Sequence, residues 1–151
     1  MTIQEQILAD LKSAMKNKEQ NRLNVLRSLK SKLLEREISE RKGGEATLSD
    51  EQVIEVLMKA AKQRKESIEQ FREGDREDLV KKEEAELEII QSYLPEMLSE
   101  EEVRDVARQK IEELGAENMA DMGKVMGVMM SELKGKAEGS LVSKVVKEEL
   151  S

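Results

Sequence analysis

The 151-residue chain contains no Cys, no His and no Trp, is 39% charged and carries a formal net charge of −7. These absences exclude imidazole bases, Ser-His and Cys-His nucleophile pairs, thiolate chemistry, disulfides and the usual zinc sites. The acidic balance also argues against a general nucleic-acid coat protein.

With 38% apolar residues and only Phe71 and Tyr93 as aromatics, the chain fits a helical protein with narrow apolar stripes and solvated outer faces. It has no run of about 18 apolar residues, so no membrane-spanning helix is expected. Met1-Thr2-Ile3-Gln4-Glu5 lacks the basic start and apolar stretch of a signal peptide, and the expected compartment is the cytoplasm.

A first helix is predicted from Thr2, with Glu5 completing a capping box and Ile3, Ile7, Leu8, Leu11 and Met15 on one face. The polar stretch 16–21 ends it. A second helix runs from about Arg22 to Arg41 with Val25, Leu26, Leu29, Leu33, Leu34 and Ile38 as its stripe, and Gly43-Gly44 stops it. The third begins at Ser49 with Gln52 as its capping partner. It carries Val53, Val56, Leu57, Ala60, Ile68 and Phe71 to Gly74. Asp75 is placed as the cap of a fourth helix bearing Leu79, Leu87, Ile90, Tyr93 and Leu94, which Pro95 terminates.

Pro95 is the only proline and marks the boundary between two predicted domains, 1–96 and 97–151. Immediately after it, Leu98, Ser99 and Glu102 combine a hydrophobic staple with a capping box. They start a fifth helix with Val103, Val106, Ile111 and Leu114, stopped by Gly115. A sixth helix begins through Asn118, with Met119, Met122, Met126, Met129 and Leu133 on one face, read as core. Gly123 and Gly127 sit inside it one turn apart. Each costs roughly 0.5–1 kcal/mol relative to Ala, which implies close approach by another helix or a ligand. A seventh helix follows Gly139-Ser140 with Leu141, Val142, Val145, Val146 and Leu150. The expected fold is all-α, with four longer N-terminal helices followed by a compact C-terminal three-helix unit.

Charge is uneven along the chain. Residues 22–42 carry seven basic and three acidic side chains, and residues 73–90 carry eight acidic and three basic, a pattern suited to complementary packing of neighbouring helices. The turn from Leu133 to Ser140 offers Lys134, Gly135, Lys136 and Gly139 before a helix N-terminus, with Lys124, Lys144 and Lys147 on the flanking helices. Helix N-termini bind phosphate through unpaired N–H groups and a partial positive charge. The alternative is a plain helix–helix turn with Gly135 and Ser140 as caps and solvated lysines. The turn is not a P-loop, because no Gly-Lys-Ser/Thr follows the required gap.

A second polar face on the third helix comprises Gln63, Arg64 and Ser67, and Glu/Lys pairing explains much of the same stretch. Glu83, Glu84, Glu86 and Glu88 lack the Asp, Asn or His partners of a metal or acid–base site. No catalytic residue, metal or cofactor is expected.

The run Lys62-Gln63-Arg64-Lys65-Glu66-Ser67-Ile68, then Phe71, Asp78-Leu79, Glu86-Leu87 and Tyr93-Leu94-Pro95, resembles the YqeY-like proteins of the GatB/YqeY family. So does the block Gly115-Ala116, Met122-Gly123-Lys124-Val125-Met126, Gly135-Lys136-Ala137-Glu138-Gly139 and Val142. The one departure is Glu138, where the family pattern has Asp. The resemblance implies a two-part helical fold similar to the tail of the GatB component of the tRNA-dependent amidotransferase. That tail contacts tRNA while catalysis sits elsewhere. The resemblance thus implies tRNA or a tRNA-bearing complex as partner. It also implies the activity of a carbon–nitrogen ligase with glutamine as amide donor, which the residues here do not support. A protein-binding adaptor using the charged third and fourth helices is the remaining alternative.

Overall fold

A computed structural model describes residues 1–40 and 47–151. Among these the chain is all-α, with no strand. Gly43-Gly44, expected to stop the second helix, and Arg41 and Lys42 of the basic stretch lie outside the described residues. The chain divides into two compact units, Met1–Leu94 and Pro95–Ser151.

The first unit contains α1 (Ile3–Lys16), α2 (Gln20–Glu40), α3 (Asp50–Glu73) and α4 (Glu77–Gln91). Thr2 and Glu5 form the capping box of α1, and Ser49 and Gln52 that of α3, so both starts satisfy N–H groups that helix geometry leaves unpaired. The Ile3 N–H also donates to Asp50 Oδ1 at 3.1 Å, tying the start of α1 to the start of α3. Ile7, Leu26, Leu29, Leu33, Val53, Leu57 and Ile90 fill the core. Tyr93 packs against it and donates its hydroxyl to Asp10 at 2.6 Å.

Three expectations need correction here. The second helix begins at Gln20, not Arg22. Asp75 does not cap α4. It sits in the left-handed region at φ 56°, and the Arg76 N–H reaches back to the Phe71 carbonyl at 2.9 Å. Asp75 therefore ends α3, since a short polar side chain tolerates that conformation, and Arg76 takes the N-cap position of α4 without a side-chain cap. Leu8, Met15, Leu34 and Ile38, expected on the inward stripes, are all exposed. The apolar stripes of α1 and α2 are wider than the neighbouring helices cover.

The second unit contains α5 (Glu100–Leu114), a 3-10 turn (Met119–Asp121), α6 (Met122–Glu132) and α7 (Gly139–Leu150). Ser99 and Glu102 form the capping box of α5, and Gly115, at φ 64°, closes it with the Ala116 N–H on the Ile111 carbonyl at 3.0 Å. Val103, Ala107, Val125, Met129, Leu133, Val142, Val145, Val146 and Leu150 make the core, with Met122 and Met126 partly buried against it.

Met119 departs from the expected methionine face: it lies in the 3-10 turn and is exposed. Asn118 accepts from the Ala120 N–H at 3.0 Å and so caps this turn, not α6. Gly123 and Gly127 are not closely approached, as a Cβ at either would meet nothing within 4 Å. Helix α6 seats itself on Val125 and Met129, which leaves both glycines on its outer side.

Candidate functional site

The turn between α6 and α7 is closed by main-chain bonds. The Lys136 and Ala137 N–H groups donate to the Leu133 carbonyl at 2.9 and 3.2 Å, and Gly135 takes the left-handed conformation at φ 76°. That conformation suits glycine because no Cβ crowds the carbonyl. The Lys136 carbonyl accepts from the Leu98 N–H at 2.9 Å, pinning the turn to the segment before α5. The Leu133 carbonyl, not a ligand, thus occupies the turn's inward donors.

Helix α7 starts one residue earlier than Ser140, with Gly139 as its first residue and Glu138 in the N-cap position. Ser140 is therefore not the cap. The acidic Glu138 side chain stands at the positive end of the helix, where an anion is favoured. A Cβ on Gly139 would lie 3.1 Å from the Cε of Met130, so the glycine leaves room for a flexible side-chain end.

The candidate lysines divide into two groups. Lys144 bonds Glu100 at 2.8 Å; this contact raises the Lys144 pKa and lowers that of Glu100. Lys134 is exposed and also has a partner within the chain. Other basic side chains of this unit are similarly engaged. Arg104 meets Glu148 and Glu149 at 2.6 and 3.0 Å, Arg108 meets Glu149 at 3.1 Å, and Lys110 meets Glu132 at 3.0 Å. Lys124, Lys136 and Lys147 are exposed and form no ion pair among the described residues.

The second polar face is built differently. Arg64 reaches across from α3 to Glu83 and Glu86 of α4 at 2.9 and 3.3 Å. Gln63 accepts from Lys32 of α2 at 3.1 Å, and the Ser67 hydroxyl donates to the Gln63 carbonyl one turn back at 3.1 Å. These three residues are therefore joined to their neighbours in the helix bundle. Burial pushes the Glu86 carboxyl above its ordinary value, with Arg64 opposing and Glu83 adding to the shift.

Between α2 and α3 lies a groove of about 330 Å³ whose walls include Lys32, Arg36, Glu55, Lys59 and Gln63. Burial lowers the Lys32 pKa, and the neighbouring Arg64 and Lys59 charges add to the effect while Glu35 opposes it. Sequence reasoning did not single out this group. Its signal was the i, i+4 spacing of Lys32 with Arg36 and of Glu55, Lys59 and Gln63, which aligns each set on one helix face. Glu84 of the acidic run on α4 is held by Arg72 at 3.1 Å. No group of three metal-ligating side chains occurs among the described residues.

A sequence profile described as Yqey-like protein matches residues 4–150. The chain is 35% identical over 143 residues to Altered inheritance of mitochondria protein 41, mitochondrial, of Pyrenophora tritici-repentis, covering 93% of this chain and 76% of that one. An uncharacterised protein of Schizosaccharomyces pombe is 36% identical over 97 residues, 64% of this chain and 72% of its own. A glutamyl-tRNA(Gln) amidotransferase component of Thermococcus gammatolerans is 43% identical over 58 residues, which are 36% of this chain but only 9% of that protein.

Proposed function

The chain belongs to the YqeY-like family, and from that premise we propose that it is a non-catalytic helical module that binds tRNA or a tRNA-bearing complex through its second unit. The observation that carries this reading is the sorting of basic side chains there. Arg104, Arg108, Lys110, Lys134 and Lys144 are taken up within the chain, while Lys124, Lys136 and Lys147 stay exposed and unpaired among the described residues. Unpaired surface lysines suit a phosphate backbone. The relative named as part of a glutamyl-tRNA(Gln) amidotransferase supports the choice of tRNA, through a short shared stretch.

Shape and backbone recognition fits better than base stacking, because the second unit has no aromatic residue. The non-catalytic part of the reading rests on composition: no imidazole or thiol is available, and the Glu83 and Glu86 carboxyls are engaged by Arg64.

The test is a titration of the purified chain against tRNA and against duplex RNA of similar length, at two salt concentrations. Three phosphate contacts predict a log–log salt slope of at most about −3. The triple change Lys124→Glu, Lys136→Glu, Lys147→Glu should weaken binding at least tenfold, and unchanged affinity would sink the site. Glutaminase or transamidation activity from this chain alone would overturn the non-catalytic reading.

A further inference from the structure

Among the described residues, four exposed apolar side chains, Leu8, Met15, Leu34 and Ile38, belong to α1 and α2, at 37%, 54%, 48% and 54% exposure. Their spacing puts them on one surface. Leu8 and Met15 are seven residues apart, two helical turns, and Leu34 and Ile38 are four apart, one turn. Leu8 and Leu34 face each other across a groove of about 170 Å³ floored by Ile7 and Leu33. Leu8 and Leu34 line this concave seam, which can receive an inserted side chain, and Met15 and Ile38 extend the apolar row beyond it.

The charges on this face are net basic, opposite to the whole protein, with Lys12, Arg27 and Lys30 outnumbering Glu5 and Glu37. Lys12 follows Leu8 by one turn, and Arg27, Lys30, Leu34 and Ile38 fall at i, i+3, i+7 and i+11 along α2. All three basic side chains are exposed, and none forms an ion pair among the described residues. The acidic residue in the groove, Glu37, accepts from Gln4 at 2.6 Å, so the chain's own amide meets its carboxylate. A basic, apolar strip on a chain of net charge −7 selects an acidic counterpart. A second copy pairing the same face about a twofold axis would set these basic groups against one another.

We infer that the α1–α2 face docks an acidic amphipathic helix from a partner protein. Its apolar row sits between Leu8 and Leu34, and its carboxylates lie against Lys12, Arg27 and Lys30. The basic and apolar positions from Arg27 to Ile38 span roughly 16 Å, which sets the partner segment at about three helical turns. This surface belongs to the first unit and is independent of the lysines proposed to meet RNA.

The experiment is a random-peptide display selection against the immobilised full chain, with affinities of the winners measured by fluorescence anisotropy. Enriched peptides should carry apolar residues at i, i+3 or i+4, and i+7, together with a net negative charge. Leu34→Glu should weaken the best of them at least tenfold. Lys30→Glu, a change at an exposed site that leaves the apolar seam intact, should weaken them severalfold with an unchanged melting curve. Lys81→Glu on α4 should have no effect. The inference is overturned if no peptide family is enriched, if the winners are basic, or if binding survives Leu34→Glu. It is also overturned if the chain instead sediments with phosphatidylserine vesicles in a Leu34-dependent way, which would assign the face to a lipid surface.

Discussion

The two units use the same pair of residue types, arginine and glutamate, for opposite electrostatic ends. In the first, Arg64 is half-buried between α3 and α4 and holds Glu83 and Glu86, whose side chains are 13% and 17% exposed. In the second, Arg104, as little exposed as Arg64, joins α5 to α7 by reaching Glu149, which is 17% exposed, and Glu148, which is 45% exposed. Burial dominates at Glu86 and lifts its pKa, whereas the hydrogen bonds from Arg104 and then Arg108 lower that of Glu149. The same ion-pair chemistry thus yields a carboxyl that resists ionisation in one unit and one that favours it in the other: both are 17% exposed, but Glu149 accepts from two arginines while Glu86 shares Arg64 with a second carboxylate, Glu83.

The consequence for stability has opposite signs. A carboxyl raised in the folded state binds protons more readily there than in the unfolded chain, so the Glu86 contribution improves as pH falls through its elevated value. Glu149, and Glu100 beside Lys144, are lowered. Their contributions are complete above the unfolded carboxylate range and disappear as pH falls through the lowered values.

The largest expected effect separates the two cores. Leu57→Ala, at a fully buried position of the first unit, should cost about 2–5 kcal/mol in urea denaturation. Val145→Ala, equally buried in the second, should cost nearer 2 kcal/mol because less side chain is removed. Equal losses would show that differing cavity relaxation offsets the difference in side-chain size.

Next in size, Glu86→Gln should raise the melting temperature at pH 7 by about 2–4 °C, the shift that ~1 kcal/mol produces in a chain of this length. The gain should close as pH approaches the carboxylate range. A variant no more stable than the parent at neutral pH would remove burial as the cause.

Gly127→Ala on the open side of α6 should stabilise by about 0.5–1 kcal/mol, read from the same urea curves. A loss would mean that something does approach that face. Smallest is Arg104→Gln. It should lower the neutral melting temperature slightly, flatten the acid-side decline by the same amount, and matter least at high salt.

The local signals in the sequence carried well where they were short-range. Thr2 with Glu5, Ser49 with Gln52 and Ser99 with Glu102 each start a helix as their three-residue spacing requires. Asp75 misled because the same residue type that caps a helix start also tolerates the left-handed turn that ends one. Leu34 and Ile38 misled because periodicity identifies an apolar side but not how much of it a neighbour covers.

The candidate site was the least legible. Lys144 meets Glu100 across 44 residues of sequence, and Arg64 meets Glu83 across 19. Such pairings depend on the register of packed helices, and with 26 basic and 33 acidic residues no spacing rule selects them. Which lysines remain unpaired is therefore a tertiary property.

Tyr93 is the sole tyrosine in a chain without tryptophan, and its hydroxyl is committed to Asp10 within the first unit. Burial first, and then the bond to Asp10, push its ionisation to high pH. Near-ultraviolet absorbance and intrinsic emission consequently report on the first unit alone, since Phe71 lies there too and the second has no chromophore beyond its backbone. Following the tyrosine absorbance beside far-ultraviolet circular dichroism gives two clocks on one unlabelled molecule. If the two traces separate during unfolding, the lag belongs to residues 95–151.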